Sequence, residues 1–359
     1  MEINQKVEEP EEIESEQKDE EEETTDYQII TYGADYTISV LHQKLKQKQI
    51  RLPDYQRRFV WKLPQASKLI ESFLLGLPVP QIFLSKEKET GDLLVVDGQQ
   101  RLSTILAFKD GKFPSNDSDF RLADVNKKFD GKTYEELPDN MKRKFDDSVL
   151  KSIIIEQIQP DDGKTVNHIF RRLNTGGTPL TSQEVRNCVY AGKFNLFLQD
   201  LNTFELWRRL YSKDENSEIN YRMKDIEFIL RFFALYYDFE AYKKPMNEFL
   251  DSFMWKMRNA DEKGLEEMGI LFKNTVTFIY EKLTPDSLRP RTSINIAVFD
   301  SIMYVVAKHN NKIKKDISYE VIKNKLFDDR KYMKATREGT TDPEVIKERF
   351  EIVKKYLVD

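Results

Sequence analysis

Cysteine and histidine are scarce in this chain. Its 359 residues include one cysteine, Cys188, and three histidines. A single cysteine excludes an internal disulfide framework and a zinc site built from cysteines. The three histidines are far apart, and none lies in a His-Glu-x-x-His pattern, so the sequence does not indicate a histidine-built metal or nucleophile site. They are His42, His168 and His309.

Long apolar runs and a P-loop are also missing. No apolar run approaches the roughly 18–20 residues of a membrane-spanning helix, and the N-terminus is acidic, unlike a signal peptide. The chain has no Gly-x-x-x-x-Gly-Lys-[Ser/Thr] sequence, so any nucleotide site is of another kind than the P-loop. We therefore expect a soluble, cytoplasmic protein.

Negative charge is concentrated at the N-terminus. The chain has a net charge of −5, but residues 1–26 hold 13 Asp and Glu against two Lys, which leaves −11 on this segment and +6 on the remainder. Such a segment has too few apolar residues to order itself. We predict that it is a disordered acidic tail. It either keeps the protein in solution or competes with nucleic acid for a basic face, and the sequence leaves both alternatives open.

The most informative stretch is Leu93–Leu106. Four apolar residues, Leu93–Val96, predict a short buried strand, Asp97-Gly98 predicts a sharp turn, and an amphipathic helix begins directly afterwards. A helix N-terminus presents unpaired backbone N–H groups and a positive dipole end, which suit a phosphate. Arg101 in the first helical turn would add a forked donor. The alternative is an ordinary strand–turn–helix.

Further elements surround this turn. A polar loop, Ile50–Trp61, is dense in long donors and aromatic residues. Pro64 and Gly76 predict the start and the end of a helix, and Gln81–Leu84 predicts a second strand. Five apolar residues at helical spacing predict the buried face of that helix. They are Ala66, Leu69, Ile70, Phe73 and Leu74.

The downstream half is predominantly helical in pattern. Lys151–Ile158 predicts a last strand, and Thr181–Glu184 has the pattern of a helix capping box. Helical periodicity then recurs in Asp225–Phe239, Met246–Met257, Glu267–Leu283, Ile294–His309 and Pro343–Leu357. The first of these contains an aromatic strip whose spacing favours core packing over base stacking. The strip consists of Phe228, Phe232, Phe233, Tyr236 and Tyr237.

The order of these motifs resembles known families. The arrangement is similar to the N-terminal domain of ParB-type proteins, which share a small α/β fold with sulfiredoxin. The closer resemblance is to the GmrSD N-terminal family (domain of unknown function 262), whose members carry Tyr-Gln-Arg, Asp-Gly-Gln-Gln-Arg and Phe-x-Arg-Leu-Asn segments in this order. Here these segments are Tyr55–Arg57, Asp97–Arg101 and Phe170–Asn174. The resemblance covers roughly residues 36–187.

The resemblance implies an α+β protein. We expect a small ParB/sulfiredoxin-like nucleotide-binding domain in residues 27–190, after the tail of residues 1–26, and a helical domain in residues 191–359. Cys188 lies outside the predicted turn, unlike the sulfiredoxin cysteine, so the redox activity does not carry over. GmrSD proteins commonly add a His-Asn-His nuclease domain and act in restriction of modified foreign DNA. The helical half has only His309, so we expect no nuclease domain of that kind in this sequence.

The predicted function is that of a regulatory module in antiviral, restriction-type defence that binds and hydrolyses a nucleoside triphosphate. Mg²⁺ is the expected second cofactor, held by Asp97. The catalytic candidates are Asp97, Gln100 and Arg101. The candidates for nucleotide binding are Tyr55, Gln56, Arg57, Arg58, Gly98, Gln99, Thr104, Arg171, Arg172 and Asn174.

Two alternatives stay open. One is a ParB-like protein that binds or senses DNA through the same phosphate pocket, and the other is a metal-dependent nuclease with an unrecognised carboxylate site. The expected partner is a separate effector or nuclease protein, while contact with nucleic acid and a homo-oligomeric state are open. No membrane association is expected. Asp97 can also be read as a plain turn residue that bonds its own backbone.

Overall fold

A mixed five-stranded sheet organises the N-terminal part of the protein. The computed structural model describes residues 28–52, 59–87, 90–159, 181–190, 192–212 and 222–358. The strands of the sheet are β1 (Gln28–Gly33), β3 (Ile50–Arg51), β4 (Ile82–Lys86), β5 (Leu93–Asp97) and β7 (Ser152–Gln159), and β2 (Tyr36–Thr37) pairs separately with β6 (Val149–Leu150). The strand order is β1-β7-β4-β5-β3, in which β1–β7 and β4–β5 pair antiparallel while β7–β4 and β5–β3 pair parallel.

Helices pack against this sheet. Helix α2 (Leu63–Leu75) has Pro64 in its first turn and is capped at its C-terminus by Gly76, which has a left-handed φ of 78°. The five apolar residues predicted for its buried face are buried. The helices of this unit are α1 (Ile38–Lys46), α2 (Leu63–Leu75), α3 (Gln99–Asp110), α4 (Asp139–Asp146) and α5 (Ser182–Val189).

Edge-to-face aromatic contacts join helix α3 to the segment that follows it in the sequence. The ring of Phe108 meets those of Phe120 and Phe145 at centroid distances of 5.3 and 5.6 Å in edge-to-face geometry. All three side chains are fully buried. Edge-to-face pairs contribute about 0.5–1.5 kcal/mol beyond their buried area. The C-terminal part of helix α3 is therefore packed firmly into the core.

The second compact unit, Tyr190–Asp359, is helical. Among its described residues there is no strand. Its helices are α6 (Lys193–Asn202), α7 (Glu205–Ser212), α8 (Lys224–Asp238), α9 (Met246–Met257), α10 (Glu262–Phe278), α11 (Ile296–His309), α12 (Tyr319–Val321), α13 (Arg330–Ala335) and α14 (Pro343–Leu357). Short 3-10 turns (Phe239–Ala241, Pro285–Leu288, Asn310–Lys312) and π-helical segments (Ile279–Leu283, Ile322–Leu326) lie between them.

The α+β class predicted from the sequence is confirmed. The predicted capping box is also present, because Thr181 N–H donates to Glu184 Oε2 at 2.6 Å and Glu184 N–H donates to Thr181 Oγ1 at 3.2 Å. In the aromatic strip of α8, Phe228, Phe232 and Phe233 are buried, as core packing requires, whereas Tyr237 is 47% exposed. The predicted acidic tail, residues 1–26, lies outside the described residues.

Four helices, α6, α7, α12 and α13, were not predicted. In α6 the buried polar side chains of Asn195 and Asn202 interrupt the apolar periodicity. Asn202 accepts a hydrogen bond from Trp207 Nε1 at 2.9 Å and donates to Asp225 at 2.9 Å. Across the described part of the chain, the structure contains no helix with the length and apolar character needed to cross a membrane.

Candidate functional site

The turn between β5 and α3 has the predicted geometry. Strand β5 ends at Asp97, and Gly98 caps helix α3 with φ 100° and ψ 12°, a left-handed conformation. The first intrahelical bond runs from Leu102 N–H to Gly98 O at 2.9 Å, and no side chain caps the helix. The backbone N–H groups of residues 99–101 therefore precede the first intrahelical bond, at the positive end of the helix dipole.

Gly98 is packed directly against strand β4. A β-carbon at this position would lie 2.2 Å from Ile82 Cγ2 and 2.8 Å from Ile82 Cβ. Its positive φ also disfavours any residue with a side chain. Close packing and backbone conformation thus both require glycine here.

Arg101 folds back across the turn. Its Nη2 donates to Asp97 Oδ2 at 2.5 Å and to the backbone oxygen of Gln81 at 3.1 Å. Its side chain is 16% exposed and that of Asp97 is 33% exposed. Among the described residues, the buried Arg101 Nε has no hydrogen-bond partner. One ion pair therefore holds the guanidinium beside the helix N-terminus and leaves some of its donors unused.

Gln100 connects the turn to the preceding polar loop. Its Oε1 accepts hydrogen bonds from the N–H groups of Val60 at 3.1 Å and Trp61 at 3.4 Å. The ring of Phe59 meets that of Phe113 edge-on at 5.4 Å. The segment that follows the predicted Tyr-Gln-Arg motif is thus anchored to the turn. The described contacts of Gln100 are positioning contacts, and its predicted catalytic role stays a prediction.

Replacing Gln100 tests this anchor. In Gln100→Ala the N–H groups of Val60 and Trp61 lose their acceptor, which costs about 1 kcal/mol per hydrogen bond. We expect hydrogen exchange at these two amides to become about fivefold faster. Gln65→Ala is the matched control, because Gln65 Oε1 accepts only from the nearby Lys62 N–H among the bonds described. Equal exchange at Val60 and Trp61 in both variants would contradict the anchoring role.

Thr104 does not reach the turn. Its side chain is fully buried, and its hydroxyl donates to Gln100 O at 2.7 Å, one helical turn back. The position lies on the core-facing side of helix α3, so the structure does not support the predicted contact between Thr104 and a nucleotide. The other predicted binding residues, apart from Gly98 and the half-buried Gln99, lie outside the described residues. They are Tyr55, Gln56, Arg57, Arg58, Arg171, Arg172 and Asn174.

Sequence reasoning missed the contribution of strand β4. Gln81 supplies a backbone acceptor for Arg101, and Ile82 occupies the space where a side chain of residue 98 would lie. The antiparallel register, in which Phe83 pairs with Asp97, brings both residues beside the turn. The hairpin between the two strands was the available signal, since its register determines which β4 residues face Gly98.

A carboxylate-rich metal centre is not evident around the turn. Within the described ranges, no group of three or more His, Cys, Asp or Glu side chains could hold a metal ion. Mg²⁺ usually takes one or two carboxylates together with phosphate oxygens and water, so a single aspartate suffices only beside a bound phosphate. Asp97 is the described side chain that fits this requirement, through the carboxylate oxygen that Arg101 does not engage.

The N-terminal unit is thus an α+β domain in which Arg101 flanks a helix N-terminus that has no side-chain cap. Residues 38–191 match the family model described as GmrSD restriction endonuclease, N-terminal domain. This part of the chain therefore belongs to the GmrSD N-terminal family, and the family indicates a restriction-type defence module. The matched range includes the turn at Asp97–Arg101. No curated protein matches the chain, and the ParB/sulfiredoxin likeness stays a prediction.

Proposed function

We propose that the turn at Asp97–Arg101 binds the phosphate groups of a nucleoside triphosphate and that the protein hydrolyses this nucleotide as a regulatory module of a restriction-type defence system. The observation that carries the proposal is the uncapped N-terminus of helix α3, which follows a left-handed glycine and has Arg101 in its first turn. Backbone N–H groups at a helix N-terminus form a ready site for phosphate.

Arg101 would complete the phosphate site. Its guanidinium already lies beside the turn, where Nη2 donates to Asp97. A phosphate bound at the helix N-terminus would accept from a remaining N–H group of this guanidinium while Nη2 stays on Asp97. Charge-assisted bonds of this kind are about twice as strong as neutral ones. Asp97 then fixes the orientation of Arg101, and its other oxygen is available to Mg²⁺.

The loop and the third motif would supply further donors. Arg57 and Arg58 precede Val60 by three and two residues, and Val60 is bonded to Gln100 in the turn. This connection supports the expectation that the Tyr-Gln-Arg loop closes over the nucleotide, with Tyr55 against the base. Arg171, Arg172 and Asn174 are expected in the same site from the family resemblance.

Hydrolysis would need little covalent chemistry from the protein. Water attacks the terminal phosphorus, the bond to the diphosphate oxygen breaks, and nucleoside diphosphate, inorganic phosphate and a proton are released. Catalysis of this step consists mainly of positioning and stabilisation of negative charge. Arginines and helix N–H groups supply that stabilisation, and bound Mg²⁺ would add to it. DNA cleavage would then belong to a separate effector protein.

Calorimetry with each of the four common ribonucleoside triphosphates and Mg²⁺ tests the proposal. Hydrogen bonds to charged groups contribute roughly 1.5–3 kcal/mol each, so Arg101→Ala should weaken binding about 10- to 100-fold. Arg121→Ala is the matched control, because Arg121 is an exposed arginine of the same unit, paired with Glu136. Unchanged affinity in a folded Arg101→Ala variant would refute the assignment.

Salt dependence separates this function from DNA binding at the same pocket. Binding to duplex DNA releases counterions, so its affinity falls steeply between low and moderate salt. Nucleotide affinity in a partly enclosed site should fall far less over the same range. A steep loss of affinity for duplex DNA that also disappears in Arg101→Ala, with no nucleotide binding, would favour the DNA-binding alternative.

We expect the purified chain not to cut DNA. Metal-assisted cleavage needs a fixed metal, an activated water and a stabilised leaving oxygen. No cluster of metal-ligating side chains is present in the described ranges to supply them. The test incubates the protein with Mg²⁺ or Mn²⁺, nucleotide, and both modified and plain plasmid. Nicking that disappears in Asp97→Ala would instead identify a nuclease.

A further inference from the structure

The helical unit carries a strongly basic stretch. Residues 308–337 hold ten Lys and Arg against four Asp and Glu, a net charge of +6. All ten cations are exposed. Residues 27–359 also carry a net charge of +6. The charges of residues 27–307 and 338–359 therefore sum to zero. The net positive charge of residues 27–359 is therefore concentrated in residues 308–337.

Residues of this basic stretch contact the C-terminal end of the last helix, α14. Lys314 N–H donates to Leu357 O at 3.0 Å, and Lys314 Nζ lies 3.4 Å from Tyr356 O. The hydroxyl of Tyr356 donates to Asp329 Oδ2 at 3.0 Å. Burial raises the pKa of Asp329, but the hydrogen bonds that it accepts and the positive charge of Lys355 outweigh this and lower it. The stretch thus meets the C-terminal end of α14.

Several of these cations are not neutralised locally. Lys331 is paired with Glu348, and Lys334 lies 3.5 Å from Glu338. Other cations of the stretch have no acidic partner within 4.0 Å among the described residues. We define the basic C-terminal surface by six cations between residues 312 and 330, a range in which four Asp and Glu leave a net charge of +2. They are Lys312, Lys314, Lys315, Lys323, Lys325 and Arg330.

The chain itself contains a complementary polyanion. Residues 1–26 carry a net charge of −11, including the unbroken acidic run Asp19–Glu23. A single residue, Tyr27, connects them to strand β1, which begins at Gln28. A segment of this length can span up to about 90 Å when extended. Tethering also gives it an effective concentration in the millimolar range.

We infer that the basic C-terminal surface is a docking site for the acidic N-terminal segment of the same chain. The docked segment would offset the positive potential of this surface and so disfavour binding of external polyanions there. The tether favours the chain's own segment over a free polyanion of similar charge, because the free competitor must reach a comparable concentration. The inference does not depend on the nucleotide site.

Zero-length carbodiimide coupling of the full-length protein tests this docking, because it joins a carboxylate to an amine only where the two are in contact. At low salt we expect amides between carboxylates of residues 1–26 and Lys312, Lys315, Lys323 or Lys325, located by mass spectrometry in the monomer band. In 0.5 M NaCl, where the Debye length falls to roughly 4 Å, their yield should drop severalfold. Lys127 and Lys128, exposed in the other unit, serve as reference amines.

Removing two positive charges from the basic C-terminal surface gives a second test of the docking. In Lys323→Gln/Lys325→Gln the cross-links to the remaining Lys312 and Lys315 should fall about threefold, since each exposed charge pair contributes up to about 1 kcal/mol. The control Lys127→Gln/Lys128→Gln removes two exposed charges elsewhere and should leave them unchanged. The inference is overturned if tail cross-links are absent, are spread evenly over the reference lysines, persist at high salt, or occur only in covalent dimers.

Discussion

Gly98→Ala should destabilise the N-terminal unit by about 2–5 kcal/mol. A left-handed conformation costs a residue with a β-carbon roughly 1–2 kcal/mol, and forcing an extra carbon into packed surroundings typically costs 1–3 kcal/mol more. Both costs apply here, because Gly98 has a φ of 100° and its β-carbon would lie 2.2 Å from Ile82 Cγ2. Since Ile82 belongs to strand β4, relief of the clash must move the turn away from the sheet. Chemical denaturation followed by circular dichroism measures the loss.

The variant Gly111→Ala separates the cost of the left-handed conformation from the cost of packing an extra carbon. Gly111 ends helix α3 with a φ of 80°, but no atom lies within 4 Å of its added β-carbon. The Gly111→Ala variant should therefore lose only about 1–2 kcal/mol of stability, the cost of the left-handed conformation. Nucleotide affinity should be retained in Gly111→Ala and reduced at least tenfold in any folded fraction of Gly98→Ala. Equal destabilisation of the two variants would mean that the close approach to Ile82 is not a constraint.

Asp300→Ala should have a comparably large effect in the helical unit. Arg231 and Asp300 form a bidentate pair, with Nε–Oδ1 at 3.2 Å and Nη2–Oδ2 at 2.5 Å. Their side chains are 2% and 0% exposed. Breaking a buried pair costs about 3–5 kcal/mol, because the buried guanidinium loses the bidentate carboxylate of this pair. The midpoint of denaturation of this unit should fall accordingly, while nucleotide affinity in the folded protein stays unchanged.

Two further variants test why Asp300→Ala loses stability. Arg231→Met/Asp300→Leu removes both charges and keeps apolar volume, so it should recover most of the stability that Asp300→Ala loses. Asp238→Ala breaks the partly exposed pair with Lys256 and should cost under about 1 kcal/mol. A double variant as unstable as Asp300→Ala would indicate that the polar contacts of this site, rather than an uncompensated charge, determine the loss.

Local sequence patterns predicted the elements that build the site. The apolar run ending at Asp97, the glycine after it and the helix from Gln99 all follow from residue spacing and turn chemistry, and the structure contains them. Helices Met246–Met257 and Pro343–Leu357 begin and end where their periodicity predicts. Such features depend on residues close in sequence, whose preferences act within one or two turns.

Contacts between distant residues were not predictable in the same way. Gln100 was expected to act on a nucleotide, but its acceptor oxygen holds Val60 and Trp61, forty residues earlier in the chain. Thr104 was expected in the site, although its position on helix α3 faces the core. The pairing of Arg101 with Asp97 was not predicted, because Asp97 was considered as a metal ligand, a catalytic residue or a turn residue. The spacing of four residues was the available signal, although Asp97 lies on the strand and not on the helix.

Site-resolved hydrogen exchange tests the central claim most directly. The N–H groups of Gln99, Gln100 and Arg101 precede the first intrahelical bond, so without ligand they should exchange rapidly. With Mg²⁺ and a saturating nucleoside triphosphate, we expect exchange at these three amides to slow at least tenfold, with little change at the start of helix α2. If the nucleotide binds while these amides continue to exchange rapidly, its phosphates do not lie at the N-terminus of helix α3, and the proposed site is wrong.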